Sequence, residues 1–208
     1  MNVGDNPGHV SRELNQIKAV DNREGSVIPS KKKNGIERFD AKTATTKQKG
    51  NYGEYKADYN LIHNQSLKDA GYDLELIGRP APTSLDDTIV KGIDGLYENK
   101  NEDLPIKFVI DEAKFGRSRL GKTEDGKQMS DDWLLGINTG NDRILAAVME
   151  CGDSSDRLPT KDERALARRI RKALENGQVE KVLTKINASG ETTTYRLDVD
   201  GKIIGTWP

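Results

Sequence analysis

Apolar residues change their period several times along this chain, and each change predicts an element. From Tyr52 to about Ala70, Glu54, Ala57, Asp58, Leu61 and Ile62 recur at three and four residues, which predicts a helix stopping at Gly71. Glu54 and Asp58 then share one side, and Tyr55, Tyr59 and Ile62 line another. Tyr72 to Ile77 reads as a strand before the Arg79-Pro80-Ala81-Pro82 break, and Leu85 to Val90 as a short helical or irregular lead. Gly92 to Tyr97 suits a short strand and Ile106 to Phe115 a more buried one. The charged stretch from Glu98 to Pro105 would close them into a hairpin. Ile106, Phe108, Ile110, Glu112 and Lys114 fall on one parity, so Glu112 and Lys114 point to the same face while Asp111 and Ala113 point away.

Beyond Lys127, Met129, Trp133, Leu134 and Ile137 carry a helical period with Gln128 on an adjoining face. Ile144 to Met149 fits either a helix or a core strand, and Ser154 to Pro159 a linker. Lys161 to Asn176 is amphipathic through Leu166, Ile170, Ala173 and Leu174, and Gly177 closes it. Val182 to Ile186, Tyr195 to Val199 and Ile203 to Trp207 alternate, with turns at Gly190 and Asp200-Gly201, and predict a small antiparallel meander. Residues 1 to 48 show no sustained period. They read as a weakly ordered linker or delivery arm, leaving residues 49 to 208 as the folded domain.

Composition narrows the possibilities. In 208 residues, 34% are apolar and 32% charged, which suits one domain of about 150 residues with a compact core and a heavily charged surface, plus an extension. No run approaches the roughly 18 to 20 apolar residues of a membrane span, and the first thirty residues contain no signal-like segment. Export would therefore use another route or a larger parent polypeptide. Cys151 is the single cysteine, which excludes an internal disulfide and a Cys-rich zinc site, and His9 and His63 have no ligand-type spacing. The net charge of −1 hides an uneven distribution: residues 1 to 50 hold ten Lys or Arg against six Asp or Glu. The segment Arg157 to Lys185 is also basic, and a more acidic middle lies between the two.

That acidic middle holds the candidate chemistry. Asp94 in Gly92-Ile93-Asp94-Gly95-Leu96-Tyr97 precedes Glu112-Ala113-Lys114 on the next apolar strand. Two carboxylates can hold a divalent ion against a phosphodiester, with Ala113 supplying a backbone carbonyl and Glu54 a further ligand from the first helix. Oxygen ligands favour Mg2+ or Mn2+, with Zn2+ as the alternative. Lys114 would act electrostatically, because neighbouring carboxylates hold its proton on. Gln128 would position water or phosphate. Arg117, Arg119, Lys122 and Lys127, with Arg164, Arg168 and Arg171 on the later helix, are the candidates for phosphate contact. A solvated basic face also explains that helix stripe.

In order, Gly53-Glu54-Tyr55-Lys56-Ala57-Asp58, the Asp94 stretch, Asp111-Glu112-Ala113-Lys114-Phe115-Gly116 and Gly126-Lys127-Gln128-Met129-Ser130-Asp131-Asp132-Trp133 resemble the PD-(D/E)xK nuclease superfamily. More narrowly they resemble the C-terminal nuclease domains of bacterial polymorphic toxins of the contact-dependent growth inhibition type. Ile93 stands where the named motif has proline. The resemblance covers about residues 50 to 150. It implies a restriction-endonuclease-like core, a mixed sheet flanked by helices, followed here by the antiparallel meander. It further implies a metal-dependent endonuclease, with DNA favoured over tRNA or other RNA. Such a toxin would be delivered as the end of a larger secreted or surface protein, act in the target-cell cytoplasm, and be neutralised by a cognate immunity protein. A non-catalytic nucleic-acid-binding module and a repair or restriction nuclease acting in its own cell are the competing classes.

Overall fold

Capping chemistry starts the first long helix earlier than its apolar period does. The Thr45 hydroxyl accepts from the Gln48 amide while the Gln48 side chain accepts from the Thr45 amide, so helix α1 spans Thr46–His63. The computed structural model describes residues 35–150 and 157–208. The arm over residues 1–34, with His9, as well as Cys151 and the first part of the expected linker at 154–159, lie outside the described residues. Gly35–Pro208 forms a compact unit, so the fold begins before the expected boundary at residue 49. Ile36 is buried, and the Phe39 ring stacks on Tyr52 with centroids 3.8 Å apart.

Asn64 ends α1, and its side chain accepts from the Ser66 amide to begin α2 (Gln65–Asp69). The expected single helix is thus two. Helix α1 buries Asn51, Ala57 and Leu61, whereas Tyr59 is 53% exposed. The strands that follow are β1 (Leu74–Leu76), β2 (Gly95–Asn99) and β3 (Phe108–Phe115), and residues 85–90 are irregular. A small hairpin, β4 (Lys122–Thr123) and β5 (Gly126–Lys127), leads to helices α3 (Asp131–Leu135), α4 (Arg143–Val148) and α5 (Lys161–Glu175). The chain ends in β6 (Val179–Ile186), β7 (Thr192–Leu197) and β8 (Ile203–Thr206). Residues 144–149, which fitted two periods, fall mainly in α4.

Six strands form one mixed sheet in the order β1-β2-β3-β6-β7-β8. β2 and β3 are the expected antiparallel hairpin, with Gly95 opposite Asp111. The last three strands are consecutive and antiparallel, yet they are not a separate appendage: β6 pairs parallel with β3 along its whole length. A parallel neighbour needs a long crossover, which the segment carrying α3 to α5 supplies.

Side-chain parity separates two cores. Leu96, Phe108, Ile110, Leu183 and Leu197 meet Trp133, Leu134, Ile144, Ala167 and Ile170 of α3 to α5. On the other face Tyr97, Val109 and Val182 meet Leu61 and Leu67, and Ala113 and Ile186 meet Ala57 of α1. The result is a helix–sheet–helix arrangement with β3 buried on both faces. A capping box also starts α5, where Thr160 and Glu163 bond reciprocally, and such a cap is worth about 1 kcal/mol. No helix among the described residues is long and apolar enough to cross a membrane.

Candidate active site

The C-terminal half of β3 opens onto a cleft of about 640 Å³. Glu54, Asp94, Glu112, Ala113, Lys114 and Gln128 all line it, so residues from α1, two strands and the β5–α3 junction converge. Strand pairing explains part of this. Gly95 lies opposite Asp111, so Asp94, one residue before β2, falls beside Glu112. Asp94 Oδ2 accepts the Ala113 amide at 2.9 Å, which fixes its carboxylate against β3.

Glu112 is the centre of the arrangement and is only 2% exposed. Its Oε1 accepts from Lys114 Nζ, and from Gln128 Nε2 at 2.6 Å. Its Oε2 is buried with no hydrogen-bond partner. A buried carboxylate oxygen left unpaired is costly unless a proton or cation joins it. Burial accordingly pushes the Glu112 pKa well above the ordinary carboxylate value, and the nearby Asp94 charge adds to that. Burial also raises Asp94 against the opposing pull of Lys114, the Ala113 amide and Arg79. Glu54 is pushed up to about 7, by burial first and then by Asp94. For Lys114, burial works to lower the pKa, but Glu112 and Asp94 outweigh it and hold the ammonium above its usual value.

Gln128 reaches Glu112 from a different place than its periodicity indicates. It follows β5 directly and precedes α3, so it belongs to a hairpin arm rather than a helix face. Its amide donates to the Gly121 carbonyl at 2.9 Å, and its Oε1 accepts the Gly121 amide at 3.2 Å. The β7–β8 turn braces this segment: Gly201 has φ +70, and a Cβ there would stand 2.7 Å from the Gln128 carbonyl oxygen. The tip of the hairpin is anchored by Asp125, which is fully buried. It accepts from the Asn138 and Thr139 amides, from the Thr139 hydroxyl at 2.6 Å, and from Arg143 at 2.8 Å. The Thr139 hydroxyl first, and then Arg143, lower the Asp125 pKa.

Arg79 is the principal residue that sequence reasoning missed. It is 9% exposed, donates to Glu54 Oε2 at 2.7 Å and lies 3.6 Å from Asp94 Oδ1. A cation inside the Arg-Pro-Ala-Pro break was the available signal, but it read as loop punctuation. Among the cleft-lining cations, Arg119 was expected, whereas Lys49 and Lys91 were not. Lys185 lies across from Lys114 in the parallel register and donates to the Ser118 carbonyl. Burial lowers its pKa, and Lys114 and Arg119 lower it further.

Other expected phosphate contacts lie off the cleft lining. Arg117 is exposed just past β3, and Lys122 pairs with Lys127 across the small hairpin. Arg164 and Arg168 are exposed on α5, and Arg171 is ion-paired with Asp142. Asp58, the alternative acid of α1, accepts the Tyr97 hydroxyl at 2.9 Å within the opposite face, and Tyr97 is a core residue. Asp87 accepts the Thr83 and Ser84 amides, a local capping role.

Among the described residues, no group of three or more His, Cys, Asp or Glu converges as a metal site. The donors that do fit a divalent ion are the Glu112 Oε2 orphan and the adjacent Asp94 carboxylate, both hard oxygens. Compared with known proteins, the chain matches no family model, no curated protein and no solved structure.

Proposed function

We propose that this chain is a metal-dependent nuclease hydrolysing phosphodiester bonds, DNA in preference to RNA, on a PD-(D/E)xK-like core. The observation that carries the proposal is the buried, unpartnered Glu112 Oε2 beside Asp94, with Lys114 and Gln128 holding the other Glu112 oxygen. Asp94, Glu112 and the Ala113 carbonyl would hold Mg2+ or Mn2+, with Zn2+ as the alternative. A bound ion supplies Lewis-acid neutralisation of phosphoryl charge.

The chain's own residues do the rest. Lys114, its proton held on by two carboxylates, presents a fixed positive charge to the phosphoryl oxygens as their charge grows. Gln128 and Lys114 together hold Glu112 Oε1, which fixes the orientation of that carboxylate. Lys49 and Lys91, together with Arg119, give the cleft basic flanks that a polyanionic backbone satisfies. The resemblance to polymorphic toxins extends the proposal: delivery as part of a larger protein, action in a target-cell cytoplasm, and a cognate immunity protein as partner.

One observation favours the non-catalytic binding module, namely that no three His, Cys, Asp or Glu among the described residues are grouped so as to hold one metal ion. A paired assay separates the readings. Wild type and Glu112→Ala are incubated with supercoiled plasmid and with total tRNA, in EDTA and in each of several divalent metals. Metal-dependent loss of plasmid with wild type alone is the expected result, and loss of tRNA alone moves the substrate to RNA. Folded wild-type protein that binds nucleic acid but cleaves neither substrate refutes the enzyme reading.

A further inference from the structure

Arg79 changes what the first-helix acid can do. The turn that carries it is pressed onto β2: the Gly78 amide donates to the Leu96 carbonyl, and a Cβ at Gly78 would lie 3.0 Å from the Leu96 Cβ. Pro80 follows, so the guanidinium is delivered from a constrained corner. It sits against Glu54 and Asp94 at once, at 2.7 and 3.6 Å, with the Arg79 and Glu54 side chains only 10% and 12% exposed. A guanidinium is a planar, delocalised cation with five donors and no acceptor, so it can face two carboxylates at once.

The two contacts are unequal. Arg79 hydrogen-bonds Glu54 Oε2 at 2.7 Å, whereas Asp94 Oδ1 stands 3.6 Å from the guanidinium, beyond hydrogen-bond distance, and Asp94 Oδ2 holds the Ala113 amide. Asp94 Oδ1 and the buried, unpartnered Glu112 Oε2 are the oxygens left to a metal ion. Two cationic side chains, Arg79 and Lys114, already face these acids, so a second divalent ion would enter against both.

We infer that Arg79 is a built-in counter-cation that keeps Glu54 out of metal coordination, so that the centre takes one divalent ion, held by Asp94 and Glu112. Arg79 is thus a positioning residue, and Glu54 serves to hold it. The inference rests on the proposed metal-dependent reading, so its test reads metal binding directly.

Mn2+ is titrated calorimetrically into wild type, Glu54→Gln, Arg79→Met, Arg79→Lys and Glu112→Gln, each first checked for folding by circular dichroism. Wild type binds one Mn2+ per chain. Glu54→Gln keeps that affinity within about threefold, and Glu112→Gln loses at least tenfold. Arg79→Met releases Glu54 and either gains a second equivalent or tightens binding at least tenfold, while Arg79→Lys stays at one. Two equivalents in wild type, or a tenfold loss in Glu54→Gln, overturns the inference and leaves the nuclease proposal standing. If Arg79→Met does not fold, the wild-type stoichiometry and the Glu54→Gln affinity decide the matter. No Mn2+ binding by wild type overturns the metal-dependent reading and this inference with it.

Discussion

Asp111 offers a quantitative test of the buried electrostatics without touching the cleft. Its neighbour Glu112 faces the site, but Asp111 points to the α1 side of the sheet. There it is 1% exposed and accepts the Thr184 hydroxyl at 2.7 Å. Burial is the main cause that pushes its pKa up from 3.8 to about 8, so the carboxyl is protonated at neutral pH. The folded state therefore holds this proton more tightly than the unfolded chain does. The stability that the group contributes is complete below about pH 3.8 and is lost progressively as pH rises through 8. A displacement of that size corresponds to about 6 kcal/mol across the window, as an upper value. Asp111→Asn preserves the shape and the acceptor for Thr184 while abolishing the titration. Urea unfolding in EDTA at pH 5, 7 and 9 should show wild type losing several kcal/mol more than the variant between the first and last conditions. The two proteins should lie within about 1.5 kcal/mol of each other at pH 5, the net worth of one hydrogen bond. Parallel pH profiles for the two proteins would refute the assignment of a buried neutral acid.

Three further outcomes follow from the geometry. Lys114→Met should lower single-turnover cleavage on the order of 10² to 10³-fold, in line with loss of one preorganised charge contact, while nucleic-acid affinity changes less than tenfold. Arg119→Ala and Lys185→Ala should each weaken binding to a DNA oligonucleotide and reduce the slope of log K against log salt by about one, measured by fluorescence anisotropy in EDTA. Gly136→Ala should lower unfolding stability by at least about 2 kcal/mol in a denaturant titration: φ is +63, and a Cβ would stand 2.3 Å from the Asn141 carbonyl oxygen. Unchanged stability in that variant would mean that the 136–141 loop packs differently.

The helix start shows where a local signal was present but outweighed. Residues 46–51 are almost wholly polar, so the apolar period begins late, yet Thr45 and Gln48 carry a capping box that places the start directly. The buried side of α1 is hard to read from its residues for a related reason. Its contact face is made of Asn51, Gly53, Ala57 and Leu61, of which only Leu61 is a large apolar residue, so it gives no continuous apolar stripe.

By itself, the sequence determined whatever depends on local geometry. The two-residue repeat of a strand placed Glu112 and Lys114 on one face and Asp111 on the other, and the short charged connection brought Asp94 alongside them. Tertiary structure decided the pairings between distant residues: Arg79 with Glu54, 25 positions apart, and Gln128 with Glu112, 16 apart. It also placed β6 in parallel beside β3, which brings Lys185 next to Lys114. Periodicity reports which side of its own element a residue occupies. Which charge it will face is set by how the elements pack, because a buried ion must find its partner wherever the fold delivers one.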